Sequence, residues 1–297
     1  MSNIGNIDTI GIVGLGLMGR AFAQRLQGAG YNVLGYDVSM QKAAEFGANQ
    51  TCASVQDLAR QCAVLLLSVF DTQQVEDVIF GPQGIAQGDL GQPLPHVVCT
   101  STCDPDHLEA IAQRCQAAGI SFLELPFSGT SLQVARGDGV GLMGGDPALC
   151  EALSGVLDLL CPQRHHIGKC GDANRAKLAV NLVLGLHRAS LAEGLNFGQR
   201  IGLDPDKLLH ILQNSAAASS VMKIKGPLMV KRQYDQPQSR VDQSLKDFAL
   251  IQAQGDKTGQ ALPLSDVYVK LLQSCSARGE GHLDNAVIFE AIARCTT

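Results

Sequence analysis

The chain has 297 residues, of which 45% are hydrophobic and 17% charged, and its formal net charge is −5. That composition suits one large or two ordinary globular domains rather than a disordered chain. No basic run exceeds two residues, so nucleic-acid binding through a basic surface is not expected. The longest apolar runs, such as Ala63–Leu67, fall far short of a membrane span, so no membrane association is expected either. The opening MSNIGNIDTI carries neither the basic start nor the apolar core of a secretory signal. The ten cysteines show no CxxC pairing, which favours the reduced thiols of a cytoplasmic protein over a disulfide framework. Cys, His and acidic residues do not cluster at metal-ligand spacing, so no metal is expected, and the adjacent His165 and His166 read as a loop.

In chain order, Thr9–Val13 is a short apolar run that predicts a buried parallel strand. Gly14-Leu15-Gly16-Leu17-Met18-Gly19 follows at once, then a helical stretch from Arg20 to Gln27. A GxGxxG between strand and helix is the context in which the motif carries information. Gly14 allows the tight turn, Gly16 lets the backbone approach a pyrophosphate, and Gly19 lets helix and strand pack closely. The helix N-terminus then offers free N–H groups and a positive dipole end to phosphates. Asn32–Tyr36 reads as the second strand. Asp37 closes it, 21 residues after Gly16, where a carboxylate meets the adenosine ribose hydroxyls. The alternative is a glycine-rich turn in some other α/β fold.

Strands and helices keep alternating. Strands are expected at Ala63–Val69, His96–Cys99, Ile120–Glu124 and Gly139–Met143; helices are expected at Thr72–Ile79, Asp104–Ala118 and Pro147–Leu160. This rhythm implies a doubly wound, mostly parallel sheet of Rossmann type. Three loops fall beyond strand ends, where such sheets bind ligands: Phe70-Asp71, Ser101-Thr102 and Pro126–Thr130. Any one of them alone is equally well a plain turn.

After Gly171 the rhythm changes to helices alone, at Leu208–Gln213, Val241–Gln254, Pro263–Arg278 and Leu283–Ala293, with breaks including Gly226-Pro227 and Gln236-Pro237. The expected organisation is an α/β domain over residues 1–170 and an all-α domain over 171–297, joined by a long helix. That helix opens after GKCGDANRAKLAVN (Gly168–Asn181), with Asp172 as a plausible N-cap, and runs without proline to about Arg200. It is apolar nearly all round, so it should be buried. Lys177 and Asn181 are four residues apart and share a face. Burial disfavours a charged lysine, which suits a proton-transfer group. The residues equally allow a lysine that snorkels to the surface beside a satisfied core amide. Lys246-Asp247, mid-helix beside Leu245 and Phe248, reads as a solvated ion-paired face; the alternative is that Lys246 points into the cleft between domains.

Five stretches together resemble the β-hydroxyacid dehydrogenases, the family that includes 3-hydroxyisobutyrate and threonate dehydrogenases and tartronate semialdehyde reductase. GLGLMG (Gly14–Gly19) matches that family's GxGxMG. TSTCDP (Thr100–Pro105) is similar to its SSTxxP. LPFSGTSLQVARG (Leu125–Gly137) is similar to its substrate loop. GDANRAKLAVN is similar to its G-x-G-x-x-x-K-x-x-x-N. LKDFALI (Leu245–Ile251) is similar to its KDLxLA. The resemblance covers nearly the whole chain and its motifs keep the family's order.

It implies a nicotinamide-dependent oxidoreductase that moves a hydride between cofactor and a small hydroxy acid. Lys177 would be the general acid/base and Asn181 a substrate-positioning amide. Ser128, Gly129 and Thr130 would hold the substrate carboxylate and hydroxyls. Val69, Phe70, Gln74 and Thr102 would line the nicotinamide site beside the Gly14–Gly19 loop and Asp37, and Lys246 would reach cofactor or substrate. Family members are usually homodimers or homotetramers built through the helical domain. NAD is expected over NADP, because Asp37 would repel a 2′-phosphate and Val38–Gln41 supplies no arginine; Lys42 is the one residue that could compensate.

The departures are Ala173 for a glycine, Phe127 for a valine, Thr130 for a glycine and Val134 for an alanine. Thr130 and Phe127 suggest a polar pocket with little room for a branched methyl. The Tyr234–Ser239 stretch is similar to that of the threonate-type members. The expected substrate is therefore a three- or four-carbon acid with a hydroxyl at C2 or C3 and a second hydroxyl. Decarboxylating 6-phosphogluconate dehydrogenase shares the architecture, but its helical domain is much longer, and here only Arg136 is available in the loop for a phosphate. A dinucleotide-binding sensor or interaction protein without turnover is the alternative from another class, against which the intact Lys177 and Asn181 weigh.

Overall fold

The computed structural model describes residues 7–88, 90–91 and 93–295. Two compact units divide the chain, Met1–Lys177 and Leu178–Thr297. The first opens with β1 (Thr9–Val13), α1 (Leu17–Gly28), β2 (Asn32–Tyr36), α2 (Met40–Phe46), α3 (Val55–Gln61), β3 (Val64–Leu67) and α4 (Thr72–Phe80). It continues through β4 (His96–Cys99), α5 (Pro105–Ala117), β5 (Phe122–Glu124), β6 (Phe127–Ser128), α6 (Ser131–Arg136), β7 (Val140–Gly144), α7 (Pro147–Ala152), α8 (Ser154–Leu160) and β8 (Arg164–Gly168). The sheet order is β2-β1-β3-β4-β5-β7-β6, with β8 on β7. The strands from β2 to β5 pair in parallel, and β7 runs antiparallel to β5 and β6. From β1 the chain steps outward to β2, then crosses back to β3. The switch point therefore lies between β1 and β3, the place where doubly wound sheets take their ligands.

β3 shows why the central strands read as unbroken apolar runs. Val64 and Leu66 pack with Ile10, Ile12, Phe22 and Leu26 on one face, while Leu65 and Leu67 pack with Leu58, Val75 and Ile79 on the other. Two secondary-structure expectations fail in this unit. His165 and His166 lie in β8, not in a loop: parallel pairing to Leu142 and Met143 makes the strand while its side chains stay exposed, so no apolar pattern marks it. The helix expected over Pro147–Leu160 breaks at the buried Leu153 into α7 and α8.

α9 (Asp172–Arg200) has 29 residues, and the boundary between the units falls within it, after Lys177. The second unit continues with α10 (Pro205–Gln213), α11 (Ser220–Lys231), α12 (Val241–Thr258), α13 (Pro263–Ala277) and α14 (Ile288–Ala293), and among the described residues it has no strand. Gly226-Pro227, expected to be a break, lies inside α11. A Cβ at Gly226 would collide with the Leu209 side chain of α10, so this glycine serves close helix packing, and Pro227 forgoes only one backbone bond. Phe248 and Tyr268 centre the core of this unit with ring centroids 4.5 Å apart. Beside them Lys225 donates to both carboxylate oxygens of Asp284 at 2.8 Å. Asp284 also accepts from the Gln238 and Ala286 amides, which pins the loop before α12. Burial pulls Lys225 down to about 8, against the opposing pull of Asp284.

Candidate active site

The glycine loop after β1 is built by contacts that admit no side chain. Gly14 has φ +93°, its N–H donates to the Tyr36 carbonyl at 2.8 Å, and a Cβ there would sit 2.5 Å from the Ser68 carbonyl oxygen. A Cβ on Gly19 would overlap the Gly14 carbonyl. Gly16 differs: no atom lies within 4 Å of where its Cβ would be. Gly16 is also the N-cap of α1 and provides no side-chain cap. An open glycine at an uncapped helix N-terminus fits a pyrophosphate, with the α1 first-turn amides of Leu17, Met18 and Gly19 as the donors.

Asp37 is fixed at the edge of this loop. Its Oδ2 accepts from the Leu15 N–H at 2.7 Å and its Oδ1 from the Ser39 N–H at 2.8 Å, with Lys42 Nζ 3.9 Å away. The fully buried Leu15 side chain anchors the turn. A cradle that a Cβ would fill, next to a carboxylate held by two amides, suits a dinucleotide.

The ends of β3 and β4 are tied together by hydroxyls. Ser68 and Thr100 share a hydrogen bond of 2.8 Å, Thr100 Oγ1 donates to the Leu67 carbonyl at 2.9 Å, and Ser101 Oγ donates to the Val69 carbonyl at 2.8 Å. Gln74 Oε1 accepts from the Phe70 N–H at 2.8 Å, so this side chain braces the Val69-Phe70 turn and leaves the Phe70 ring partly exposed. Thr102 follows in the same loop, half-buried.

In the loop after β5, Ser128 ends β6 and Gly129 takes φ +150° with its Cβ position 3.3 Å from Gly139 Cα. Thr130 caps α6: its Oγ1 accepts from the Gln133 N–H at 3.3 Å and Gln133 Oε1 accepts from the Thr130 N–H at 2.9 Å. The extra hydroxyl thus has its oxygen engaged in a capping box, with its hydrogen left to donate. Phe127 does not narrow this loop. Its ring packs edge-on to Phe22 at 4.8 Å inside the core, because β6 turns that side of the strand toward α1.

Lys177 is 7% exposed. One turn before it, the start of α9 is held by Glu124, whose carboxylate accepts from the amides of Gly171, Ala173 and Asn174 and from the Asn174 side chain. Asp172, expected as the N-cap, is the first helical residue and accepts from the Lys169 N–H instead. Glu124 carried one legible signal, a carboxylate ending a fully buried strand.

In the second unit, Asn181 Nδ2 donates to Asp247 Oδ2 at 2.8 Å, and Lys246 Nζ lies 2.9 Å from Asp247 Oδ1. The Lys246-Asp247 pair is therefore not the solvated face expected from its helix: both side chains are 18% exposed, and Asp247 joins Asn181 to Lys246. The partner of Asp247 lies 66 residues away, so the sequence marks it only as half of a Lys-Asp pair between Leu245 and Phe248.

Burial pushes the thiols of Cys62, Cys115, Cys161, Cys170 and Cys275 up to about 12, so none of these is a ready nucleophile. Among the described residues no group of His, Cys, Asp and Glu is placed to hold a metal, and no helix is long and apolar enough to cross a membrane.

Residues 9–168 match the family model of the NAD-binding domain of 6-phosphogluconate dehydrogenase, and residues 171–292 match that described as NAD-binding of NADP-dependent 3-hydroxyisobutyrate dehydrogenase. The chain is 31% identical to an L-threonate dehydrogenase of Cupriavidus necator over 95% of each chain. It is 26% identical to a 2-hydroxy-3-oxopropionate reductase of Escherichia coli, over 95% of this chain and 96% of the other. A crystal structure of a 3-hydroxyisobutyrate dehydrogenase from Salmonella typhimurium superposes with a TM-score of 0.84 at 27% identity, covering 95% of this chain and 99% of that one.

Proposed function

The chain belongs to the β-hydroxyacid dehydrogenase family of NAD(P)-dependent oxidoreductases, and on that premise we propose its cofactor preference, its acid/base and its substrate class. Lys177 is the general acid/base, and its place carries the reading: a buried lysine one turn beyond a helix start held by four hydrogen bonds. Bound nicotinamide supplies or accepts the hydride at its C4. Lys177 takes the proton from the substrate hydroxyl oxygen on oxidation and returns it on reduction. Its burial keeps bulk water from competing for that proton. Asn181, oriented by Asp247, and Lys246 position the substrate. Ser128, the Gly129 backbone and the remaining Thr130 hydroxyl hydrogen hold its carboxylate and hydroxyls. Val69, Phe70, Gln74 and Thr102 border the nicotinamide, with Gln74 acting through the Phe70 turn that it braces.

Residues 1–170 form the dinucleotide domain, which also brings Ser128–Thr130 to the substrate, and residues 171–297 form the helical domain that carries Lys177, Asn181, Lys246 and the subunit assembly. Support for a homodimer or homotetramer comes from exposed apolar side chains of the second unit, such as Phe197 at 64% and Ile201 at 58%. Ten free thiols accord with a reducing cytoplasm.

NAD is preferred over NADP because Asp37 carries its charge where a 2′-phosphate would sit, held there by the Leu15 and Ser39 amides. The substrate is a three- or four-carbon acid with a second hydroxyl, such as threonate or glycerate. The likeness to an L-threonate dehydrogenase supports this, as does Thr130; Phe127, being in the core, does not. The test is reduced-nicotinamide absorbance over 3-hydroxyisobutyrate, 3-hydroxypropionate, glycerate and both threonate enantiomers, with each cofactor. The expected result is the highest kcat/KM for a polyhydroxylated acid with NAD. A clear preference for 3-hydroxyisobutyrate defeats the substrate assignment, and a clear preference for NADP defeats the cofactor assignment.

A further inference from the structure

We propose that Glu124 and Asn174 are positioning residues that set Lys177 against the loop carrying Thr102; this rests on the reading of Lys177 as the acid/base. Glu124 is fully buried at the end of β5. Its Oε2 accepts from the Gly171 N–H at 2.7 Å and the Ala173 N–H at 3.3 Å; its Oε1 accepts from the Asn174 N–H at 2.6 Å and Asn174 Nδ2 at 2.7 Å. No cation pairs with it among the described residues. Burial pushes the carboxyl above its ordinary range, and these four donors pull the other way.

A local serine or aspartate cap would have satisfied one or two of these amides without burying a charge. The carboxylate used instead comes from 47 to 50 residues away, and what it adds is a fixed distance between the start of α9 and the end of β5. Asn174 extends the clamp. Its Oδ1 accepts from the Cys103 N–H at 2.8 Å, next to Thr102, so one amide side chain bonds β5 through Glu124 and the loop after β4.

There is no slack in this arrangement. A Cβ on Gly144 would collide with Glu124 Oε2 and lie 2.8 Å from the Lys169 carbonyl oxygen. Outside the clamp, Arg175 pairs with Asp106 and Asp172, and Lys169 with Glu109, but these pairs are open to solvent and contribute little. Lys177 follows Asn174 by three residues in unbroken helix, so any displacement of the first turn is passed on to it.

The test combines single and double variants. Turnover, NAD affinity and the primary deuterium isotope effect on kcat are measured for Glu124→Gln, Asn174→Ala and Lys177→Ala, and for Glu124→Gln and Asn174→Ala each combined with Lys177→Ala. Glu124→Gln and Asn174→Ala should each lower kcat about 10- to 100-fold, the scale of an ångström of misplacement. NAD affinity should stay within about two-fold of wild type, since positioning acts on the chemical step. The isotope effect should rise as chemistry becomes slower than product release. In the Lys177→Ala background the same changes should cost less than about two-fold, because a positioning residue acts through the group it positions.

If Lys177→Ala loses turnover while Glu124→Gln and Asn174→Ala keep wild-type kcat, the clamp is overturned and the reading of Lys177 stands. An equal fold-loss with and without Lys177 likewise overturns it, by making the clamp merely structural. Near-wild-type turnover in Lys177→Ala removes the acid/base assignment and the positioning role with it. Should Glu124→Gln fail to fold, Asn174→Ala decides, because it leaves the three backbone donors on Glu124 intact.

Discussion

Two helix N-termini in the first unit, those of α1 and α9, follow strands of the same sheet, and they are finished in opposite ways. α1 starts at Gly16 with no side-chain cap and open space where a Cβ would be. α9 starts on a buried carboxylate that takes the Gly171, Ala173 and Asn174 amides. The positive end of a helix attracts an anion in either case. Left open, such an end is free to take a ligand's phosphates; filled from inside the protein, it fixes the helix and whatever the helix carries. The Gly14–Gly19 loop is the first kind and the helix that bears Lys177 is the second.

Substitutions can break that contrast. The largest stability effect is expected at the filled terminus. Glu124→Ala leaves buried amides without partners, at about 1–3 kcal/mol for each one that water cannot reach. Denaturant titration should show a loss of several-fold that of any substitution at Gly16, and wild-type stability would mean that α9 does not need its internal anion. Next comes Gly19→Ala, which forces a methyl into the Gly14 carbonyl and should cost about 1–3 kcal/mol of stability together with most of the NAD affinity. Gly16→Ala should separate the two effects. Its methyl meets no protein atom, so the melting temperature should hold while NAD binding weakens roughly ten-fold or more, about 1.4 kcal/mol. Unchanged affinity by fluorescence titration would take the phosphates away from this terminus.

The smallest effect concerns pH, and the filled terminus has a thiol beside it. Cys170, next to Gly171, is pushed up to about 12 from an ordinary 9.0 by burial first and by Glu124 second. The folded chain keeps this proton at pH 10 while the unfolded chain releases it. The thiol's contribution is therefore complete below about 9 and lost as pH rises toward 12. Cys62, Cys115, Cys161 and Cys275 act in the same direction. Melting temperature should fall from pH 9 upward, less steeply in Cys170→Ala. An unchanged slope in that variant would detach the thiol from the α9 entry.

The same contrast explains what was legible in the sequence. The glycine loop was readable because its determinants are local: three glycines in six positions, a strand before, a helix after and one carboxylate at the end of the next strand. The parallel strands were readable because burial on both faces leaves nothing but apolar residues in Val64–Leu67. The α9 start was harder, since its anion is 47 residues upstream and Asn174 bonds to Cys103 across 71 residues. Lys177 and Asn181 stood out by resemblance, whereas Asp247, which orients Asn181, lies in a resembling stretch that gives it no role of its own. Sequence and structure part where backbone pairing or packing overrides side-chain preference: β8 forms on exposed histidines, α11 runs through Gly226-Pro227, and Phe127 turns into the core.

The acid/base assignment is tested most directly by kcat and NAD affinity of Lys177→Ala measured on the same preparation. The expected outcome is a kcat lower by about 10²–10⁴, the usual contribution of a positioned acid/base, with NAD affinity within about two-fold of wild type. Turnover near that of wild type would contradict the assignment of Lys177 outright.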